Sequence, residues 1–400
     1  MVEGKNDFLI SNLMIKIRGN MLQVKKLTLI LILIVGINNL NAGINVVKNE
    51  DKPLKGEWDL ALKEMWRIDR AGDTFMANVF NIRVDKNGMI YYLDTKYPEV
   101  FILNPDGTLF SSFGRRGEGP GEFRGPIGLH VTGKFLIVQD QGNEIKVFNN
   151  KGDYKKMYKL GRDVSPRTFV NMHQYITIRS DFDKIQTRET LELIDLENNK
   201  GTILATLAAE TKVRASGQGP QGRIRITTGG TYTSTRIIIH LHKNKLYFGR
   251  NDNYVITRMN LEGKEEMAFS IEGRKRKPVS LQYKKDRIAA IKIRGGRMSK
   301  EMEKQLIDGY SDEFNYFTKI TTDEKGRIYV YVTDVENITG WYIDIFSPEG
   351  KYLYHSQIKL PPDLQKKGNF VLKQNHIYAY AEDEDGNAMI VKYKITKPPQ

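Results

Sequence analysis

Apolar residues fall in short runs that often alternate with polar ones, and Gly-, Asn- and Asp-containing corners separate the runs. The fullest instance runs from Val79 to Phe113. An apolar run ends at Asp85-Lys86-Asn87-Gly88, a second spans Met89 to Leu93, and a third centres on Val100 to Leu103. The corner Asn104-Pro105-Asp106-Gly107 follows, then a last run from Thr108 to Phe113. A period of two predicts strands. Asp or Asn leading to Gly predicts tight turns, because such corners need a residue tolerating positive φ. The segment therefore reads as one four-stranded antiparallel sheet.

The second corner recurs at Phe148-Asn149-Asn150-Lys151-Gly152, at Ile194 to Gly201, at Met259-Asn260-Leu261-Glu262-Gly263 and at Phe346-Ser347-Pro348-Glu349-Gly350. The first corner is echoed near Thr132, Met172, His242, Asp323 and Lys373. Six first corners thus stand against five second corners. The sixth unit stops one strand short, and Leu62 to Ile68, ahead of the first unit, supplies a spare strand-like segment. Closing a ring with strands from both ends removes exposed sheet edges. A spacing of roughly 40 to 50 residues suits propeller blades. The expectation is an all-β, six-bladed β-propeller over residues 58–396, its last blade closed by the N-terminal strand.

Two segments exceed the spacing. Residues 207–235, rich in Gly, Thr and Arg, read as a long loop or extra hairpin between the third and fourth blades. Residues 273–312 read as a small helical insertion between blades four and five. Ser280 is an N-cap, Leu281, Ile288 and Ile291 share one face, Gly295-Gly296 ends the helix, and Met298, Met302 and Leu306 mark a second.

The stretch Gly114-Arg115-Arg116-Gly117-Glu118-Gly119-Pro120-Gly121-Glu122-Phe123, followed by Pro126, resembles the blade-linking loop of NHL-repeat propellers. It is also similar to that of exported bacterial six-bladed β-propeller proteins carrying one such loop after the first blade. The resemblance implies an NHL/TolB-like propeller. Relatives of this kind include RNA binders, interaction scaffolds and lyases, so architecture is implied and activity left open. Glycine gives the linker backbone angles closed to other residues, and Phe123 is placed to plug the gap between blades. Arg115, Arg116, Glu118 and Glu122 are the candidates for a ligand site on the rim.

The N-terminus bears on compartment. From Met21 the order is basic Lys25 and Lys26, an apolar run Leu27 to Ile37, a polar stretch, then Ala42-Gly43. This is signal-peptide layout over residues 21–42, with cleavage expected near Ala42 and a periplasmic or secreted product. Residues 1–20 read as an extra N-terminal segment or an early start. Cysteine is absent, which excludes disulfides and thiol chemistry. The net charge of +14 is concentrated, with twelve Lys or Arg against three Asp or Glu in residues 273–304. Arg274, Lys275, Arg276, Lys277, Lys284 and Lys285 are therefore candidates for an anionic-partner patch. They lie outside the repeat, so neutralising Arg274 to Lys277 is expected to leave folding intact.

Catalytic patterns fail in context. Gly217-Gln218-Gly219-Pro220-Gln221-Gly222 matches GxGxxG, yet an alternating strand-like run follows it where a dinucleotide site needs a helix, so it reads as a degenerate linking loop. His240 and His242 share one strand face without matching carboxylates, and Glu382 to Gly386 lacks EF-hand order. No catalytic residue, metal site or cofactor is assigned. The expected role is a non-enzymatic binding or interaction module acting as a monomer. Its partner is a protein, a carbohydrate or an anionic surface with peripheral membrane contact, and not nucleic acid. The alternative is a lactonase-like propeller hydrolase or lyase with a metal at the central channel.

Overall fold

The computed structural model describes residues 44–397, apart from 45, 59, 162–164, 183–186, 210–213, 220–221, 228–232, 234, 290–298, 334–339 and 367–369. The N-terminal segments 1–20 and 21–42 lie outside the described residues.

Six antiparallel sheets follow one another along the chain as the blades of a propeller. The first has strands Val79–Val84, Ile90–Asp94, Glu99–Leu103 and Leu109–Phe113 in sequential order. The second begins at Pro126–Thr132, the third at Pro166–Phe169, the fourth at Ile237–His242 and the fifth at Phe317–Thr322. The sixth contains Val371–Lys373, His376–Glu382 and Ala388–Ile395. Its outer strand is Leu62–Ile68, paired antiparallel from Leu62 with Ile395 to Ile68 with Ile390, so both termini close the ring.

The closing segment extends further upstream than the expected start at 58. Val46–Glu50 adds in parallel to the outer strand of the fourth blade, Val46 opposite Ala268 and Glu50 opposite Glu272. Asn49 then spans two blades, donating to Ser270 O at 3.0 Å and Gly350 O at 2.9 Å and accepting from Tyr352 N at 2.8 Å. Leu54, Lys55 and Trp58 donate to the outer strand of the fifth blade. One continuous strap from Val46 to Ile68 therefore crosses three blades.

The second corners do two jobs. In four blades the first corner residue donates its amide to the residue four further on, and the glycine donates back: Asn149 N to Asp153 O at 2.9 Å, Gly152 N to Asn149 O at 3.1 Å. Gly152 needs its φ of 96°, and a Cβ there would stand 2.6 Å from Phe113 on the outer strand of the preceding blade. Gly350 repeats this against Phe269, and Gly107 carries it across the ring closure against Trp66. The glycines thus seat each corner on its neighbour.

The core is correspondingly divided into wedges between successive blades. Phe101, Leu103, Tyr378 and Ile390 close the gap between the sixth and first blades, and Tyr91, Phe123, Leu136 and Phe148 fill that between first and second. A separate small core of Val279, Ile288, Met302, Leu306, Tyr310 and Phe314 holds the insertion.

Two local expectations change. Helix Leu281–Ala289 forms where expected, with Ser280 Oγ accepting from Tyr283 N at 3.1 Å, but Leu281 is 55% exposed and Lys284 shares the inner face with Ile288. Spacing places residues on a face without saying which face the core takes. The GxGxxG run forms a hairpin, Arg214–Gly219 with Gly222–Thr227, and is not a linking loop. Its tip at 220–221 is outside the described residues.

Candidate functional site

The blade-linking loop is a joint. Phe123 is fully buried and donates its amide to Arg115 O at 2.8 Å, while a Cβ on Gly114 would fall 2.1 Å from the Phe123 ring. Glu122 accepts from Gly119 N at 2.9 Å and Arg115 Nε at 2.7 Å, and these bonds hold its carboxyl below the usual range. Beneath, buried Lys146 pairs with Asp140 at 2.9 Å, and Asp140 also accepts from the amides of Arg124 and Gly125. Arg115 and Glu122 are therefore paired with each other, while Arg116 and Glu118 face solvent.

The same device recurs without a loop signature. Asp94 accepts from the amides of Ala77 and Asn78, and Asn251 from that of Arg236 at 2.8 Å. In each case a buried polar residue at the end of the second strand, or just past it at Asn251, fixes the linker entering that blade. The signal was present in the runs ending YYLD, IVQD and FGRN.

The structure divides the six residues of the basic insertion. Arg274 does not lie outside the repeat in space. Its guanidinium pairs with fully buried Asp344 of the fifth blade and with Asp51 of the strap at 2.6 Å, and it packs over the Tyr254 and Tyr352 rings. Asp344 also accepts from Tyr254 Oη at 2.6 Å and Tyr352 Oη at 2.7 Å, with His355 Nδ1 at 2.8 Å. Burial alone would raise the Asp344 pKa, but the His355 bond and the Arg274 charge keep it low. Neutralising Arg274 would strand a buried carboxylate, which corrects the expectation of an unaffected fold. Arg276 pairs with Glu313, and Lys284 is buried against Asp312 and Tyr310 O. Lys275, Lys277 and Lys285 are exposed.

A different basic cluster sits where the inner strands converge. A cavity of about 510 Å³ is lined by Asn78, Val79, Phe80, Asn81, Ile82 and Arg83 of the first blade, Lys319 of the fifth, and Phe370, Val371 and Tyr380 of the sixth. Arg83 Nη1 donates to its neighbour's carbonyl, Ile82 O, at 3.0 Å, and Lys319 Nζ donates to Phe370 O at 2.9 Å while standing 4.9 Å from the Tyr331 ring centre. Neither has a carboxylate partner among the described residues. Desolvation pushes Arg83 down to about 10. Desolvation first, then the Arg83 charge, pushes Lys319 down to about 7.

Two histidines extend this cluster. His130 of the second blade is pushed down to about 3 by burial and then by Arg83. His240 of the fourth is pushed down to about 3 by burial, with His242 and Lys319 adding. Both imidazoles are neutral at ordinary pH. His240 and His242 do share a face, their rings 6.3 Å apart, and His240 Nε2 meets Thr322 Oγ1 at 3.0 Å. Sequence reading missed Arg83 and Lys319, although one signal existed. Arg83, His130 and His240 each fall two residues before a first corner, where the inner strand is otherwise largely apolar. Among the described residues no group of three or more His, Asp or Glu side chains could hold a metal ion.

One solved structure superposes on the propeller over most of both chains. A member of the DUF4221 family from Bacteroides vulgatus ATCC 8482 superposes with a TM-score of 0.52 at 10% identity, over 85% of this chain and 99% of that one. A protein of Bacteroides fragilis NCTC 9343 assigned to the exported class gives 0.49 at 13% identity, over 88% and 99%. Virginiamycin B lyase from Staphylococcus aureus gives 0.36 at 15% identity, over 84% and 90%. At such identities the likeness concerns fold alone. No protein-family model matches the chain, and no curated protein matches it by sequence. The chain is a six-bladed β-propeller. Among the described residues no helix is long and apolar enough to cross a membrane.

Proposed function

We propose that the chain is an exported, non-catalytic binding module whose ligand is a small anion with an apolar body, seated against Arg83 and Lys319. The observation that carries this reading is a pair of cations lining one cavity without a carboxylate among the described residues. Both side chains are half-buried, so each carries part of the desolvation cost of an unpaired charge, and a bound anion would recover it. Phe80, Ile82, Phe370 and Val371 supply the apolar walls, and a cavity of about 510 Å³ suits a small organic molecule. The same two cations would repel a divalent metal, which weighs against the lyase alternative. Export is supported by the basic, apolar and small-residue order of residues 21–43.

Calorimetric titration with benzoate and with uncharged benzamide tests the reading. Benzoate is expected to bind at least about tenfold more tightly, and Arg83→Met to remove that preference. Equal affinity for the two, or no binding of benzoate at millimolar concentration, overturns it.

A further inference from the structure

We propose that Lys319 captures the carbonyl group of a 2-oxo carboxylate as a reversible Schiff base while Arg83 holds the carboxylate of the same molecule. This rests on the anion-binding reading above and goes further by naming the ligand class and a covalent step.

Among the described residues two lysines are buried, Lys146 and Lys284, and half-buried Lys319 lines the cavity; the three differ in what faces them. Lys146 pairs with Asp140, and Lys284 with Asp312. Lys319 faces Arg83 from the first blade, His240 from the fourth, Tyr331 of its own blade, and the Phe370 carbonyl and Tyr380 from the sixth. None of these is an anion at neutral pH: His240 is held neutral by burial, and burial raises both phenols. A carboxylate would keep an amine protonated, whereas a neighbouring guanidinium and desolvation favour the free base, the form that attacks a carbonyl. The hydrogen bond from Nζ to Phe370 O, at 2.9 Å, uses an N–H and leaves the lone pair of the neutral amine available.

A 2-oxo acid suits the cavity because its carboxylate and carbonyl are adjacent, just as the guanidinium and amine line one wall system. The Nζ lone pair adds to the carbonyl carbon and gives a carbinolamine. Loss of water leaves a C=N bond, and the imine nitrogen takes a proton from solvent. Hydrolysis reverses the sequence, so no oxidant or reductant is consumed and the outcome is capture.

The test is reductive trapping of the full chain with phenylpyruvate and sodium cyanoborohydride, followed by intact mass measurement and peptide mapping. One reduced adduct is expected on Lys319, formed at least about tenfold faster than on any exposed lysine, with its rate rising through about pH 7 rather than near the ordinary lysine value. Lys319→Arg should abolish it, Arg83→Met should slow it at least about tenfold, and excess benzoate should protect Lys319 in the unaltered chain. Comparable labelling of exposed lysines, or none at Lys319, overturns the proposal. Benzoate binding without an adduct discards the Schiff base and leaves the anion site standing. Failure of both discards both.

Discussion

Two basic clusters of this propeller are built on opposite terms. At the junction of strap, fourth blade and fifth blade, Arg274 meets Asp344 and Asp51, and two tyrosines and a histidine complete the shell around Asp344. At the inner strands, Arg83 and Lys319 meet backbone carbonyls and one another's field. The first cluster spends its charge on holding three chain segments together. The second leaves its charge facing a cavity, where the proposed anion would sit. What distinguishes the two clusters is the presence or absence, among the described residues, of a carboxylate opposite the arginine, which local density of lysine and arginine does not report.

The comparison breaks most sharply under substitution of single arginines. Arg274→Met leaves buried Asp344 with only the two tyrosine hydroxyls and His355 as partners, and should cost about 3 kcal/mol in denaturant unfolding. Arg83→Met removes an unpaired cation, so its stability should be unchanged or higher by about 1 kcal/mol, with anion binding lost. Equal destabilisation by both would erase the distinction between the clusters.

A somewhat smaller effect is expected from pH. An anion beside Lys319 favours its charged form, so binding takes up a proton wherever the free protein holds the amine neutral. Affinity should thus be highest below about pH 7 and fall by up to about tenfold per pH unit above it. Lys319→Met should flatten that profile. The sign for folding is opposite: a lysine pKa lowered in the folded state makes stability rise as pH climbs from about 7 toward the ordinary lysine value.

The smallest change concerns the outer patch. Lys275→Gln with Lys285→Gln alters only exposed side chains, and melting should shift by no more than about 0.5 kcal/mol equivalent. Retention on anionic vesicles should drop if these residues contact a surface. Unchanged retention would leave the cavity of Arg83 and Lys319 as the sole basic site with a proposed role.

Legibility in the sequence followed the range of the interactions. The corners at Asn104, Asn149, Asn260 and Ser347 close on themselves within five residues, so each carried its own signature, and counting such corners together with the first corners gave the number of blades. Phe123 as a plug was readable because its partners Arg115 and Gly114 lie in the same loop. Leu281 was misplaced because a helical stripe shows which residues share a face and not which side is covered. Arg274 was misjudged because Asp344 stands far along the chain, and Arg83 and Lys319 were passed over as single polar residues in separate strands.

By itself, then, the sequence determined the strands, their corners, the six-fold count and the closure by Leu62 to Ile68, since alternation and turn chemistry are written within a few residues of each other. Only the tertiary structure decided which charges meet. Wrapping the blades into a ring carries Arg274 onto Asp344 and sets Arg83 beside Lys319, and charge pairing depends on distance in space, which the order of residues does not contain.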